Sequence, residues 1–185
     1  AHEYDKLRKS IATSLSVSIA LGIVFTIGSL IFMKPIINLL QTPKDVYYLA
    51  VDYLKICFLG ITFQLLYNIG TAILRALGNT KDPLYFLVFS CVLNLILDIL
   101  FIVYFGWGVK GAAIATLVSQ ILATLLVLWK IMRLDDECRI SIKQIRIYKG
   151  YIEDIFLVGI PAGLQAIFMS ISSLIIQSSI NSFGA

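Results

Sequence analysis

Two pairs of polar residues interrupt the apolar run from 94 to 120. Asn94 and Asp98 are four residues apart, and so are Thr116 and Gln120. That spacing stacks the members of each pair one turn apart on a single helix face. A carboxylate surrounded by hydrocarbon is costly by several kcal/mol on insertion scales, so it turns toward partners or a water-filled cavity. Centring the connection between two antiparallel helices on Trp107 sets residues whose numbers sum to 214 at equal depth, which matches Asp98 with Thr116 and Asn94 with Gln120. At ~1.5 Å per residue, Asp98 and Thr116 then lie roughly 10 Å below the helix ends. Three chemistries fit such an oxygen-rich set. It can ligate a hard cation such as Na⁺, the aspartate can take up and release a proton, or the groups can simply hydrogen-bond between helices.

The elements that carry these residues follow from composition. Of 185 residues, 59% are hydrophobic and 14% charged, and the mean hydropathy is +0.90. A soluble core of this size could not hide so much apolar surface, so the expected class is an all-α integral membrane protein. Uncharged runs cover 10–33, 56–74, 83–104 with Asp98 as the sole interruption, 111–129, and 155 onward. Each approaches the ~20 residues a helix needs to cross roughly 30 Å of hydrocarbon. Helices are therefore expected near 10–33, 44–77, 83–105, 109–134 and 151–183.

Lys and Arg set the orientation, because they collect on the cytoplasmic side. An inside N-terminus assigns eleven of them to the cytoplasm, including Arg75, Lys81, Lys130 and Arg133, and leaves Lys34, Lys44, Lys55 and Lys110 at or near the outer side. The expected location is the cell inner (plasma) membrane, multi-pass. The net charge of +4 reads as topology and contact with anionic membrane lipids, with no nucleic acid partner. Neither the opening AHEYDKLRKS nor the closing NSFGA has the marks of a leader or a natural terminus, so the sequence reads as an internal piece of a longer chain.

Connections are marked by turn residues. The segment 35–42 (PIINLLQT) reads as an apolar outer turn, with Asp52 and Lys55 beyond it as a surface pair. Gly78 and Asn79 are suited to stop a helix, and Pro83 to start the next. Gly106, Trp107 and Gly108 form the outer turn, with the indole at the interface. From 135 to 150, Arg139, Lys143 and Arg146 oppose Ile142, Ile145 and Ile152, the pattern of a linker lying on the inner leaflet.

Small residues recur every four positions at Ser14, Ser18, Gly22 and Thr26, and again at Gly111, Ala115, Ser119 and Ala123, which lets helix backbones approach closely. Gly60, Gln64 and Asn68 form a polar stripe, so Gln64 and Asn68, with Gln120, are candidates to line a cavity. Pro161, flanked by Gly159 and Gly163, is the expected site of a bend in the last span. Cys57, Cys91 and Cys138 read as reduced thiols, and His2 as a surface residue. The sequence contains no nucleophile and base pair, no metal-ligand motif and no Gly-rich phosphate loop, so catalytic residues and prosthetic cofactors are not expected.

The run LRALGNTKDPLYF, the N-x-x-x-D of the next span, GVKGAAIATLVSQ and VGIPAGLQAIFMSISSLIIQSSINSFG together resemble the multidrug and toxic compound extrusion (MATE) transporters, especially their NorM and DinF-like branches. The resemblance implies a twelve-helix, two-lobe bundle. In it, 1–134 supplies helices three to six of the N-terminal lobe, 135–150 the cytoplasmic inter-lobe linker, and 151–185 the first helix of the C-terminal lobe. It further implies antiport of amphipathic, often cationic drugs or toxins against Na⁺ or H⁺. The remaining lobe of the same chain would be a partner. In DinF-like members a cation site joins an acid of helix one to an Asn and an Asp of helix five and a Thr of helix six, and the last three match Asn94, Asp98 and Thr116. The helix-one acid would precede Ala1. The rival readings are a lipid-linked oligosaccharide flippase of the same superfamily, whose cavity would carry basic residues, and a nontransporting membrane scaffold.

Overall fold

The computed structural model describes residues 2–39, 44–134 and 148–182, all but a few of them helical. The helices are α1 (His2–Leu39), α2 (Lys44–Leu59), α3 (Ile61–Ala76), α4 (Lys81–Asp98), α5 (Gly108–Met132) and α6 (Lys149–Ser182). A π-helical segment, Ile99–Tyr104, extends α4. Five stretches are long and apolar enough to cross a membrane, among them Asp5–Pro35, Tyr47–Ala76, Lys81–Tyr104 and Gly108–Met132. The chain forms two compact units, one ending at Arg146 and the other beginning at Ile147.

Within the first unit α5 packs against α2, α3 and α4, while α1 packs mainly on α3. The small residues explain this centrality. Gly111, Ala115, Ser119 and Ala123 are all buried on α5, where short side chains allow close backbone approach. The stripe on α1 acts similarly, since a Cβ added at Gly22 would sit 2.8 Å from Thr62 Cα. Beside it, the Thr26 hydroxyl donates to the Phe58 carbonyl at 3.2 Å and lies 3.1 Å from the Thr62 hydroxyl. Ile11 and Leu15 of α1, Leu66 and Leu74 of α3, and Val127 and Ile131 of α5 make the core.

Several boundaries differ from the sequence reading. The expected turn at 35–42 is not formed at its start, because α1 continues through Pro35 to Leu39. Met33 and Ile37 flank the proline and are buried, so packing carries the helix past a residue that removes one amide donor. At the other end, α1 begins at His2 instead of Ser10, supported by an Lys9 to Asp5 ion pair of 2.6 Å across one turn. Asp52 pairs with Lys110 of α5 at 2.8 Å and not with Lys55, because α2 lies against the start of α5. The linker residues Arg139, Ile142, Lys143, Ile145 and Arg146, and Cys138, lie outside the described residues.

The turn after α3 follows its sequence. The Asn79 amide donates to the Leu74 carbonyl at 2.9 Å and the Gly78 amide to Arg75 at 3.0 Å, with Gly78 at φ 83. This is the paired hydrogen-bond pattern that glycine makes accessible at a helix end. The Asn79 side chain then accepts the Asp82 amide at 3.1 Å. Asp82 in turn meets Lys130 of α5 at 2.7 Å, which ties the start of α4 to the end of α5. In the second unit, α6 runs as one helix through Pro161, and neither Gly159 nor Gly163 has a neighbour within 4 Å of an added Cβ.

The tightest test of the packing is Gly70, where an added Cβ would press into Val127 Cγ1. Val127 is fully buried and β-branched, so it cannot swing aside. We expect Gly70→Ala to destabilise the protein by about 1–3 kcal/mol, the usual range for an overpacked core. Val127→Ala in the same protein should recover part of the loss, whereas Gly28→Ala, which has open space around it, should lose nothing. Thermal unfolding of the purified protein in detergent reads all three.

Candidate functional site

The antiparallel pair α4 and α5 sets the geometry. Asn94 Nδ2 donates to Thr116 Oγ1 at 3.4 Å, and the Ser90 hydroxyl reaches the Ser119 carbonyl at 3.4 Å. Asn94 therefore faces Thr116, and the matching of Asp98 with Thr116 and Asn94 with Gln120 is displaced by one turn. The cause is the connection, which is not symmetric about Trp107. The segment Ile99–Tyr104 is wound as a π-helix, which takes in more residues per turn than an α-helix. The chain then folds back, with the Phe105 amide donating to Leu100 at 3.0 Å and the Trp107 amide to Phe101 at 2.9 Å. Gly106 (φ 68) and Gly108 (φ 54) supply the left-handed conformations this needs. Trp107 stacks on Phe101 and Phe105, at ring separations of 5.1 and 5.4 Å.

Asp98 closes α4 at the α/π junction, one turn outward from Asn94 and about 6 Å along the axis. It is half-buried. Its Oδ1 is buried and has no hydrogen-bond partner among the described residues. A buried unpaired carboxylate oxygen is expensive, which sets this atom apart from the paired amides and hydroxyls beside it. Thr116 donates its own hydroxyl proton to the Ala112 carbonyl at 3.0 Å, which leaves the Oγ1 lone pairs to face Asn94.

Below this point a cleft of about 220 Å³ opens between α3, α4 and α5, where Gln64, Tyr67, Ser90, Asn94, Thr116, Ser119 and Gln120 set polar groups among the apolar surface of Leu87, Cys91 and Ala123. Gln120 spans it, its Nε2 donating to Gln64 Oε1. The side chain fits because residue 60 is glycine: a Cβ there would lie 2.5 Å from Gln120 Oε1. The break between α2 and α3 falls at the same residue. One turn along, the Thr124 hydroxyl donates to Phe63 O at 3.0 Å and to Gln120 O at 2.8 Å, clamping α3 to α5.

Of the sequence-predicted residues, Gln64, Asn94, Thr116 and Gln120 thus share one cleft. Asp98 sits just beyond its lining, and Asn68 is exposed and outside it. Pro161 belongs to the second unit. Sequence reading missed Ser90, Tyr67 and Ser119. Ser90 was within reach, since it precedes Asn94 by four residues and extends the Asn94 and Asp98 stripe by one turn on the side away from Asp98. The lining offers neutral amide and hydroxyl oxygens with one carboxylate above them, a donor set suited to a hard cation of low charge.

A family model described as MatE matches residues 1–100. This chain belongs to the MatE family. It is 37% identical over 165 residues to the probable multidrug resistance protein YpnP of Bacillus subtilis, covering 89% of this chain and 36% of YpnP. It is 30% identical over 184 residues to the multidrug export protein MepA of Staphylococcus aureus, covering all of this chain and 41% of MepA. Among solved structures, a crystal structure of MATE in complex with MaL6 matches with a TM-score of 0.84 and 28% identity, over 92% of this chain and 38% of that one. The chain thus spans about two fifths of the length of these relatives. The fold is that of MATE helical bundles, a family of membrane transporters and not of enzymes.

In a MATE bundle the amide and hydroxyl groups of this cleft should offer water several hydrogen-bond partners. Cys91 lines it and is exposed, whereas Cys57 on α2 is half-buried. A small cationic methanethiosulfonate reagent applied to the full-length protein in membranes should therefore label Cys91 several-fold faster than Cys57. Peptide mass spectrometry reads the two sites separately, and Gln120→Leu, which makes the cleft less polar, should slow Cys91.

Proposed function

We propose that this chain is part of a secondary active antiporter of the plasma membrane that exports amphipathic, often cationic compounds in exchange for Na⁺ or H⁺. Residues 1–134 form helices three to six of the N-terminal lobe, 135–150 the cytoplasmic linker, and 151–185 the first helix of the second lobe. The Lys and Arg distribution supports that orientation. The names of YpnP and MepA support drug export.

The observation that carries the coupling role is Asp98: a half-buried carboxylate with an unpartnered oxygen, one turn from the Asn94 and Thr116 contact. A buried carboxylate oxygen with no partner among the described residues marks a position that another group or ion can satisfy. Na⁺ or a proton does so in this reading, with Asn94 and Thr116 as neutral ligands or hydrogen-bond partners. The amides of Gln64 and Gln120 line the route of the exported compound, and Asn68, outside the cleft, has no part in it. Pro161 bends the helix that follows the linker and shapes the space shared by the lobes.

Asp98→Asn keeps the volume and most hydrogen bonding while deleting the charge. Because Oδ1 has no partner to lose, the variant should melt at or above the wild-type temperature. Ion-driven drug efflux by the full-length protein in membrane vesicles should nonetheless be lost. Efflux that persists at the wild-type rate, with the same ion dependence, would return Asp98 to a purely structural role. Imposing a Na⁺ gradient at constant pH, and then a pH gradient without Na⁺, identifies the coupling ion in the wild type.

A further inference from the structure

On α5 and α4, away from the polar cleft, lies a second hollow of about 350 Å³ lined by Phe89, Leu122, Leu125, Leu126 and Trp129. Every lining residue is apolar and the trough is open along its length. Its lining extends over residues 122 to 129 of α5, roughly 10 Å of helix, the scale of half an acyl chain.

The end of the trough is basic. The Arg133 guanidinium lies over the Trp129 ring at 4.5 Å from its centroid, so the trough runs directly under a cation. On α4, Lys81, Tyr85 and Phe89 follow at four-residue spacing, which carries the same surface from the trough through an exposed tyrosine to a second cation. Asp82 could have neutralised this end, but it is engaged by Lys130. Among the described residues, neither Lys81 nor Arg133 has an acidic partner. Apolar trough, Trp and Tyr at its rim and, beyond them, two cations with no acidic partner among the described residues follow the layers of a bilayer leaflet: acyl chain, interface, headgroup.

We infer that this surface is a binding site for an anionic phospholipid of the cytoplasmic leaflet, one acyl chain seated against Leu122, Leu125 and Phe89 and the phosphate held by Arg133 and Lys81. Arginine suits the role, because its planar donors fit phosphate oxygens while its face stays on the indole. The site is separate from the cleft at Asn94, and its readout does not depend on transport.

The full-length protein in bilayer nanodiscs provides the test. The probes are phosphatidylglycerol and phosphatidylcholine that carry the same photoreactive diazirine midway along one acyl chain. Phosphatidylglycerol should label peptides containing residues 89 and 122–129 several-fold more than phosphatidylcholine. Arg133→Gln should reduce that labelling about five-fold, the usual contribution of one basic residue beside an anionic surface. Lys81→Gln should act likewise, and an unchanged melting temperature separates this from misfolding. Equal labelling by the two lipids would mean that this end exerts no net attraction, as the acidic residues at 135–137 of the sequence would dictate, and would overturn the inference. So would an absence of label in the trough, which would mean that protein covers it, or an Arg133→Gln protein that labels as the wild type does.

Discussion

Close approach to α5 is the constraint on which the rest of the bundle depends. In lipid, helices gain little from burying apolar side chains, and association rests on packing and on interhelical hydrogen bonds. The face of α5 built from Gly111, Ala115, Ser119 and Ala123 permits contact with three other helices. The same closeness brings Thr124 within reach of the Phe63 carbonyl and Gln120 within reach of Gln64. Larger residues on this face would separate the helices and leave those polar groups unpartnered. Packing and polar chemistry are here one requirement, met by the same short side chains.

Around that axis, polar groups fall into two classes. The Thr26 and Thr62 hydroxyls, the Thr124 clamp and the two ion pairs at Asp52 and Asp82 are satisfied within the chain, and they hold helices together. Asp98 is not: it keeps a buried oxygen without a partner among the described residues. A network meant only for stability would gain by pairing or removing it. That contrast within one small bundle is why the coupling role is proposed for this carboxylate and not for Asp52 or Asp82.

Much of this was legible in the sequence. Spans can be read from runs of uncharged residues because the bilayer imposes a length, and the turn at Gly78 and Asn79 because glycine is needed at that backbone angle. The stripe that places Gln64, Asn94, Thr116 and Gln120 around one cleft follows from helical periodicity. What failed had causes that no local rule contains. The helix past Pro35 is held by the burial of Met33 and Ile37, which depends on residues distant in sequence. Asp52 chose Lys110 over Lys55 because the fold brought it nearer. The depth of Asp98 was misjudged because the arithmetic assumed a uniform rise, and a π-helical segment intervened.

That segment has a consequence for comparing relatives. A π-turn is what remains in a helix when one residue is inserted without breaking the hydrogen-bond ladder around it. The wider turn absorbs the extra residue, so the side chains beyond it face nearly as they would in an uninterrupted α-helix one residue shorter. Between Ile99 and Tyr104, a relative shorter by one residue and wound as plain α-helix would keep its Asn and Asp in step with each other and could still bring its counterparts of Phe101, Phe105 and Trp107 to the same neighbour. A single-residue gap in this stretch would thus mark the loss of the π-turn and not a shift of the polar residues beneath it.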